Sequence, residues 1–324
     1  MPLAKVQSTS ISSFQGDSAT VVAGTTTGYQ RTLNVTAGSL LVARIAVYNT
    51  AATSGGHLIN AVTDSKGQTW TRRASAQNTS TSNRLWVYIY DCFNAAAGST
   101  TVSLDCTLED DANYISWEVS EASGVATTSA NDQSATTQVA PSAATATVGP
   151  TSALSQADEI VFAIAAGKWY WQFNGSGAAP STYTLDNLVN DSTYVSMQTA
   201  HKIVSATTAV SATWTFPPDQ SVNDGGAFAL VTYKAASAAT TLRVKFILET
   251  AVNGDTGIES LVWRGNPTGA YATQYPAVTA EASGGIVYYS PAPTGAIAGD
   301  SVNGILWNST DTSGLITGVV EVTP

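Results

Sequence analysis

The sequence predicts an all-β protein built from antiparallel β-sandwiches, and three observations lead to this class. Apolar and polar residues alternate with a period of two along most of the chain, as in strands with one face in a core. The alternating segments are rich in Val, Ile, Tyr and Trp and are bounded by Gly, Asn, Asp or Ser. No segment sustains a helical stripe with caps. Short strands at this spacing are typical of sandwiches.

Eight segments are the clearest predicted strands. They are residues 39–48, 85–93, 100–108, 114–120, 159–165, 194–201, 210–216 and 227–233. A stretch rich in Ala, Ser and Thr, residues 127–151, predicts one further extended strand between loops. The segment Asp64-Ser65-Lys66-Gly67 has Asp at the first and Gly at the fourth position of a type I turn, which predicts a hairpin between its flanking strands.

A small, uncommitted segment around residues 234–241 follows the last strong strand and marks a predicted domain boundary. Residues 1–236 are predicted to form an antiparallel β-sandwich, for which the resemblance described below implies a jelly roll. Residues 237–324 contain several short strand patterns separated by Gly, Asn, Asp and Pro, which suits a small Ig-like β-sandwich.

The strand at residues 85–93 is apolar on both faces. Trp86, Tyr88 and Tyr90 alternate with Leu85, Val87 and Ile89. Such a strand belongs to a sheet covered on both sides, by the partner sheet on one side and by another element or another subunit on the other. The second alternative favours a homo-oligomer.

Charge limits the classes of partner. The 324 residues include 13 Lys and Arg against 23 Asp and Glu, a formal net charge of −10, and only 11% are charged. Phosphate binding needs clustered basic residues, so nucleic-acid binding is not expected. No apolar run reaches the ~18 residues of a membrane-spanning helix, and the N-terminus lacks the apolar region of a signal peptide. We therefore expect a chain made in the cytoplasm and not secreted through a signal peptide.

Cys92 and Cys106 lie in consecutive predicted strands joined by a short turn. In a hairpin with that turn the two cysteines would be several residues out of register, too far apart for a disulfide. The sequence therefore predicts two buried free thiols.

No established catalytic motif accompanies His57 or His201, the two histidines of the chain, and no enzymatic activity is expected. Carboxylates that could act in pairs, as in glycosidases, are Asp158 with Glu159 and Glu118 with Glu121. The acidic run 109–111 fits a solvated loop better than a catalytic site. A structural Ca²⁺ bound by this run, or by carboxylates near Asp17 and Asp224, is an open alternative because calcium prefers oxygen ligands.

The segment 167–182 has unusual content, with Trp169, Tyr170 and Trp171 before two glycines and a proline. Aromatic rings can stack on sugar rings, which makes these three residues the candidate glycan-binding residues. The alternative is that they pack in a core or at a subunit interface.

Several phrases resemble a recurrent module of bacterial and phage proteins, the carbohydrate-binding-module-like jelly roll. Residues 62–71 match its "V-T-D-S-x-G-N-x-[YW]" phrase, with Gln68 where the module often has Asn. Residues 85–90 with 97–102, residues 117–125 and residues 226–234 resemble its other strands. Residues 280–290, 298–300 and 317–322 are similar to Ig-like domains appended to phage head and tail proteins.

This resemblance implies a structural protein of a tailed-phage virion, such as a capsid decoration protein, head fibre or tail-associated protein. The implied partners are major capsid or tail proteins and further copies of the chain. The alternative is a carbohydrate-binding adhesin or receptor-binding tail module that recognises host-surface glycan. The resemblance brings no catalytic residues and no cofactor.

Overall fold

A computed structural model of the chain describes residues 2–16, 29–49, 58–78, 84–107, 113–139, 143–168, 178–189, 195–216 and 225–236, together with strand segments after residue 240. The chain forms two compact units, Met1–Ala236 and Ser237–Pro324. The described sheets are antiparallel throughout, which confirms the all-β prediction.

The first unit contains strands β1 to β16. Their bounds are β1 Ala4–Ser8, β2 Ser12–Gly16, β3 Gln30–Val35, β4 Ser39–Asn49, β5 Leu58–Asp64, β6 Thr71–Asn78, β7 Arg84–Ala95, β8 Gly98–Thr107, β9 Asn113–Ser123, β10 Asn131–Val139, β11 Thr145–Val148, β12 Asp158–Lys168, β13 Thr184–Val189, β14 Val195–Ser205, β15 Ala212–Thr215 and β16 Gly226–Lys234. All eight clearest predicted strands are present, as β4, β7, β8, β9, β12, β14, β15 and β16.

Strands β1 to β9 form one jelly roll. Its larger sheet has the order β1-β9-β4-β7-β6, with β2 also pairing β9, and its smaller sheet has the order β3-β8-β5. If β1 and β2 count as one interrupted strand, the jelly roll has eight strands. Numbered one to eight along the chain, they have the order 1-8-3-6-5 in the larger sheet and 2-7-4 in the smaller sheet. This is the strand order of a jelly roll, except that the fifth strand joins the sixth.

Strands β10 to β16 repeat this topology. Their larger sheet has the order β10-β16-β12-β14-β13 and their smaller sheet pairs β11 with β15. Each strand takes the place of its counterpart in the first jelly roll, while the described residues contain no counterpart of β5. Where the sequence predicts one jelly roll for residues 1–236, the described strands therefore trace two.

The repeat extends to the irregularities of the sheets. In β6 the register shifts at Arg73, and in β13 it shifts at Asp186. Aligning these two bulges places Ala43 of β4 over Ala163 of β12, and it also aligns the bulges of β1 and β10. A bulge redirects a strand at one fixed point, so two coincident bulges define a residue-by-residue equivalence between the jelly rolls.

The described strands of this unit stack in four layers with three apolar cores between them. The first core lies between the β3-β8-β5 sheet and the larger sheet of the first jelly roll. The middle core joins the two larger sheets. The third lies between the larger sheet of the second jelly roll and the β11–β15 pair. The two jelly rolls thus share a core, with a larger sheet on each side of it.

This layering explains the strand with two apolar faces. In β7, Trp86, Tyr88 and Tyr90 face the first core, whereas Leu85, Val87 and Ile89 face the middle core. The prediction of a doubly covered sheet is confirmed, and the cover on both sides comes from the chain's own sheets. These faces therefore do not call for a second subunit.

Two predicted hairpins are wrong. The Asp64–Gly67 turn forms, with the Gly67 N–H donating to the Asp64 carbonyl at 3.1 Å and Gly67 at φ 67°. However, β5 and β6 belong to different sheets, so the turn crosses between layers. The connection from β7 to β8 crosses in the same way. Turn chemistry is local and does not determine whether the flanking strands pair with each other.

The two cysteines are free and buried, as predicted. Their separation does not arise from hairpin register, because β7 and β8 do not pair; both thiols lie in the first core. Burial is the main cause that raises the pKa of both Cys92 and Cys106 to about 12.

The second unit contains strands β17 to β24. Their bounds are β17 Thr241–Ile247, β18 Gly257–Ile258, β19 Leu261–Val262, β20 Gln274–Tyr275, β21 Val278–Thr279, β22 Ile286–Tyr289, β23 Ser301–Leu306 and β24 Gly314–Thr323. They form a sheet of order β22-β17-β24-β23 and two short pairs, β18 with β21 and β19 with β20. The Ig-like assignment of this unit stays a prediction. Among the described residues of the whole chain, no helix is long and apolar enough to cross a membrane.

Candidate functional site

Most residues that the sequence singles out for ligand binding lie outside the described residues. These are the glycan candidates Trp169, Tyr170 and Trp171, the acidic run 109–111, Asp17, Asp224 and His57. The structure describes the remaining candidates: Glu118, Glu121, Asp158, Glu159 and His201. Their positions show which of the predicted groupings exist.

The most extensive buried polar cluster lies in the middle core and is centred on Arg44. This Arg44 network comprises Arg44 of β4, Glu118 of β9, Asp186 and Asn187 of β13, His201 of β14 and Lys5 of β1. The side chains of Arg44, Glu118 and Asp186 have no exposed surface. The Arg44 network joins residues of the first jelly roll to residues of the second.

Arg44 uses both terminal nitrogens of its guanidinium group. Nη2 forms ion pairs with Glu118 and with Asp186, the latter at 2.7 Å to Oδ2, and donates to the Ser120 hydroxyl at 2.8 Å. Nη1 donates to the carbonyls of Ala163 and Ala200, at 3.2 and 3.0 Å. Those two residues are register partners on β12 and β14. One side chain of the first jelly roll therefore binds two strands of the second.

The carboxylate of Asp186 contacts nitrogen atoms of three side chains, those of Arg44, Lys5 and His201. It sits at the bulge of β13, where Oδ1 contacts Lys5 Nζ at 2.8 Å and His201 Nδ1 at 2.6 Å. Burial alone would raise the pKa of Asp186, but the charge of Arg44 and the hydrogen bonds from His201 and Lys5 hold it well below its usual range. Asp186 is therefore an anion at neutral pH.

Glu118 and Glu121 do not form the predicted carboxylate pair. Side chains alternate between the two faces of a strand, so residues three apart on β9 point to opposite cores. Glu118 contacts Arg44 and Asn187 on the middle-core face. On the other face, Glu121 accepts hydrogen bonds from Ser39 Oγ at 2.7 Å and the Thr36 N–H at 2.8 Å.

Asp158 and Glu159 are likewise not a pair, since adjacent residues of β12 face opposite ways. Glu159 instead lies near Asp132, and each of the two carboxyl groups shifts the pKa of the other. Glu159 has no exposed surface. Sequence reasoning did not find Asp132, because the bulge of β10 and its pairing with β16 bring it there from a distant part of the chain.

A second ion pair occupies the position equivalent to Asp186 and His201. At the bulge of β6, Arg73 Nε contacts Asp91 Oδ2 at 2.7 Å, and the guanidinium carbon of Arg73 lies 5.1 Å from the Phe93 ring centroid. Burial raises the pKa of Asp91, and the hydrogen bond and charge of Arg73 oppose that increase. Both bulges therefore carry an ion pair.

Contacts within the chain engage the charges of the Arg44 network. The anions of the Arg44 network already contact cations, and His201 contacts one of those anions. Among the described residues, no group of three or more His, Cys, Asp and Glu side chains is placed to hold a metal ion. Arg44 carried a signal that sequence reasoning missed: it is the lone charged residue of the apolar strand Ser39–Asn49.

Comparison with known proteins gives no relative. No family model, no curated protein and no solved structure matches this chain.

Proposed function

We propose that this chain is a non-enzymatic structural protein of a phage particle, most simply a capsid decoration or head-fibre protein exposed on the virion. The observation that carries the proposal is the use of its buried charges. Arg44, Glu118 and Asp186 form ion pairs that join one jelly roll to the other. A double jelly roll with such a core is suited to rigid display.

The sequence resemblance supports the same proposal. The phrase at residues 62–71 resembles that of the carbohydrate-binding-module-like jelly roll of bacterial and phage proteins, and its residues have a structural part here. Asp64 accepts hydrogen bonds from the Lys66 N–H at 2.7 Å and from Trp70 Nε1 at 2.7 Å, which fixes the crossing from one sheet to the next. The phrase thus supports the jelly-roll scaffold and carries no chemistry.

The test is to locate the chain on particles. Particles from the phage lysate that encodes it would be purified by density gradient, their proteins quantified by mass spectrometry, and the chain located with gold-labelled antibody. We expect many copies per particle, with label over the head. Label confined to the tail would move the proposal to a tail protein, and absence from washed particles would refute it.

A homo-oligomer remains a prediction of its own. The apolar faces that favoured it are covered within the chain. Light scattering on the purified full-length chain measures its mass in solution. A homo-oligomer would have a whole-number multiple of the monomer mass.

The alternative function is glycan binding through Trp169, Tyr170 and Trp171. These residues directly follow β12, in the connection to β13 whose counterpart in the first jelly roll contains β5. A glycan array probed with the full-length chain tests it. Binding that is lost in Trp169→Ala and Trp171→Ala, and kept in the control Ile203→Ala, would support it; Ile203 is an exposed apolar residue of β14. A blank array would count against it.

A further inference from the structure

The carboxyl group of Glu159 is buried in a way that an ion pair does not explain. The residue has no exposed surface, and neither of its carboxylate oxygens has a hydrogen bond of normal geometry. An ionised carboxylate buried without partners is strongly disfavoured, so such a group gains a partner or takes up a proton. The neighbouring residues show which of these applies.

A charged neighbour that acts on Glu159, Asp132, has the same sign. Asp132, on the β10 bulge, accepts a hydrogen bond from the Ser155 N–H at 2.7 Å. Backbone and side-chain donors of Ser155, with the charge of Lys234, hold the pKa of Asp132 below its usual value although burial opposes them. Asp132 is therefore the anion of the two carboxyl groups, and a second negative charge beside it is unfavourable.

The other charged groups near Glu159 form no ion pair with it. Lys234, its register partner on β16, lies on the same face of the sheet, and its charge acts on Asp132. On β14 its register partner is the apolar Val204, and Lys202 lies over the Tyr183 ring with Nζ at 4.6 Å from the centroid. Asp158 precedes it on the opposite face of β12. No cation within the described residues forms an ion pair with Glu159.

The first jelly roll shows which donors a buried carboxyl group contacts at this place. Ser39 is equivalent to Glu159, and Glu121 is equivalent to Thr232 of β16. Glu121 accepts hydrogen bonds from Ser39, from the Thr36 N–H and from the Gln7 side chain. In the second jelly roll the carboxyl group and the hydroxyl group have exchanged strands, and an aspartate occupies the neighbouring bulge.

We propose that Glu159 and Asp132 hold one proton between them, and that this shared proton is a pH-sensitive fastening of the β10 bulge to the second jelly roll. In the protonated state Glu159 can donate to the Asp132 carboxylate. Loss of the proton places two negative charges against each other beside the Ser155 N–H and the Gln133 N–H, which donates to Thr232 Oγ1 at 3.0 Å. The edge strand β10 is then held less firmly.

The pKa supports this proposal and gives its pH range. Burial raises the pKa of Glu159 from 4.5 to about 7, with the Asp132 carboxylate adding to the increase and the Thr232 hydroxyl opposing it. Because the folded chain binds this proton more tightly than the unfolded chain, its contribution to stability is complete below about pH 4.5 and is lost as the pH rises to about 7. The proton is bound roughly three-hundredfold more tightly in the folded state.

The test follows stability and protonation in the full-length chain. Urea unfolding across this pH range is compared for the wild type, Glu159→Gln and Asp132→Asn, with Glu121→Gln as the matched carboxylate of the first jelly roll. Glu159→Gln mimics the protonated acid, so its stability should lose the decline with rising pH. Asp132→Asn should shrink the decline, and Glu121→Gln should keep it. Carbon NMR of labelled glutamate in the wild type should show one carboxyl titrating near neutrality.

Two results would overturn the proposal. One is a wild-type spectrum in which every glutamate titrates below about pH 5, which needs no variant to fold. The other is stabilisation by added CaCl₂ that disappears in Glu159→Gln, because a divalent cation would then hold the carboxyl pair in place of the proton.

Discussion

The two jelly rolls of the first unit have the same topology and two bulges in common but different polar pairs at equivalent positions. Arg73 and Asp91 of the first correspond to Asp186 and His201 of the second, so the carboxylate and its nitrogen partner have exchanged strands. Ser39 and Glu121 correspond to Glu159 and Thr232, where the hydroxyl and the carboxyl have also exchanged. The fold therefore determines where a buried polar pair is needed, and either strand can supply either member.

The middle core departs from this symmetry at its centre. Arg44 and Glu118 of the first jelly roll correspond to Ile164 and Ala229 of the second, which are apolar and fully buried. A symmetric pairing of two identical larger sheets would place two such ion pairs, or none, across the middle core. The single Arg44 network makes the two sheets complementary and distinguishes the observed pairing from the pairing of two like sheets.

The largest expected effect comes from removing Arg44. Arg44→Met leaves the carboxylates of Glu118 and Asp186 buried with fewer partners, and loss of one member of a buried ion pair costs about 3–5 kcal/mol. The free energy of unfolding from urea titration measures this loss. The double variant Arg44→Ile with Glu118→Ala installs the residues of the second jelly roll and should recover part of it. A double variant less stable than Arg44→Met would contradict this explanation.

Asp186→Asn tests the bulge of the second jelly roll. Because the pKa of Asp186 is depressed in the folded state, its contribution is present above its ordinary value of 3.8 and is lost as the pH falls below it. The variant should be less stable than the wild type by about 2 kcal/mol at neutral pH, with the difference shrinking in acid. Unfolding curves at neutral and acidic pH measure both. A difference that stays constant with pH would show that packing, and not charge, is responsible.

The Asp64 turn tests a feature of the first jelly roll, where β5 leads into β6. The side chain of Asp64 accepts hydrogen bonds from Lys66, Gln68 and Trp70, which lower its pKa although burial opposes them. Asp64→Ala should cost about 1–2 kcal/mol, since the site is only half-buried. Tryptophan fluorescence and urea unfolding follow it. Asp64→Asn, which keeps an acceptor, should lose less; equal losses would mean that the hydrogen bonds do not matter.

These comparisons also show what the sequence could predict. Strand positions follow from alternation because each strand faces a core, and the two apolar faces of β7 correctly indicated a doubly covered sheet. The internal repeat could not be recognised, because equivalent positions exchange Ser with Glu and Arg with Asp. The Arg44 network and the Asp132–Glu159 pair depend on strand register and bulges. The Arg44 network joins residues more than a hundred positions apart, and the surroundings of Asp132 join residues some tens of positions apart, so neither leaves a local motif.

The smallest perturbation uses the two thiols to separate the jelly rolls. Cys92 and Cys106 both lie in the first core, and the second jelly roll contains no cysteine. Burial raises the pKa of each thiol to about 12, so little thiolate exists at neutral pH and the folded chain should react very slowly with a thiol reagent.

Labelling in increasing urea therefore reports the opening of the first jelly roll alone. If the middle core makes the two jelly rolls one cooperative unit, labelling and the loss of total β-structure by circular dichroism should have the same midpoint. Labelling at lower urea would show that the first jelly roll opens by itself, in which case the shared core holds the second more firmly than it holds the first.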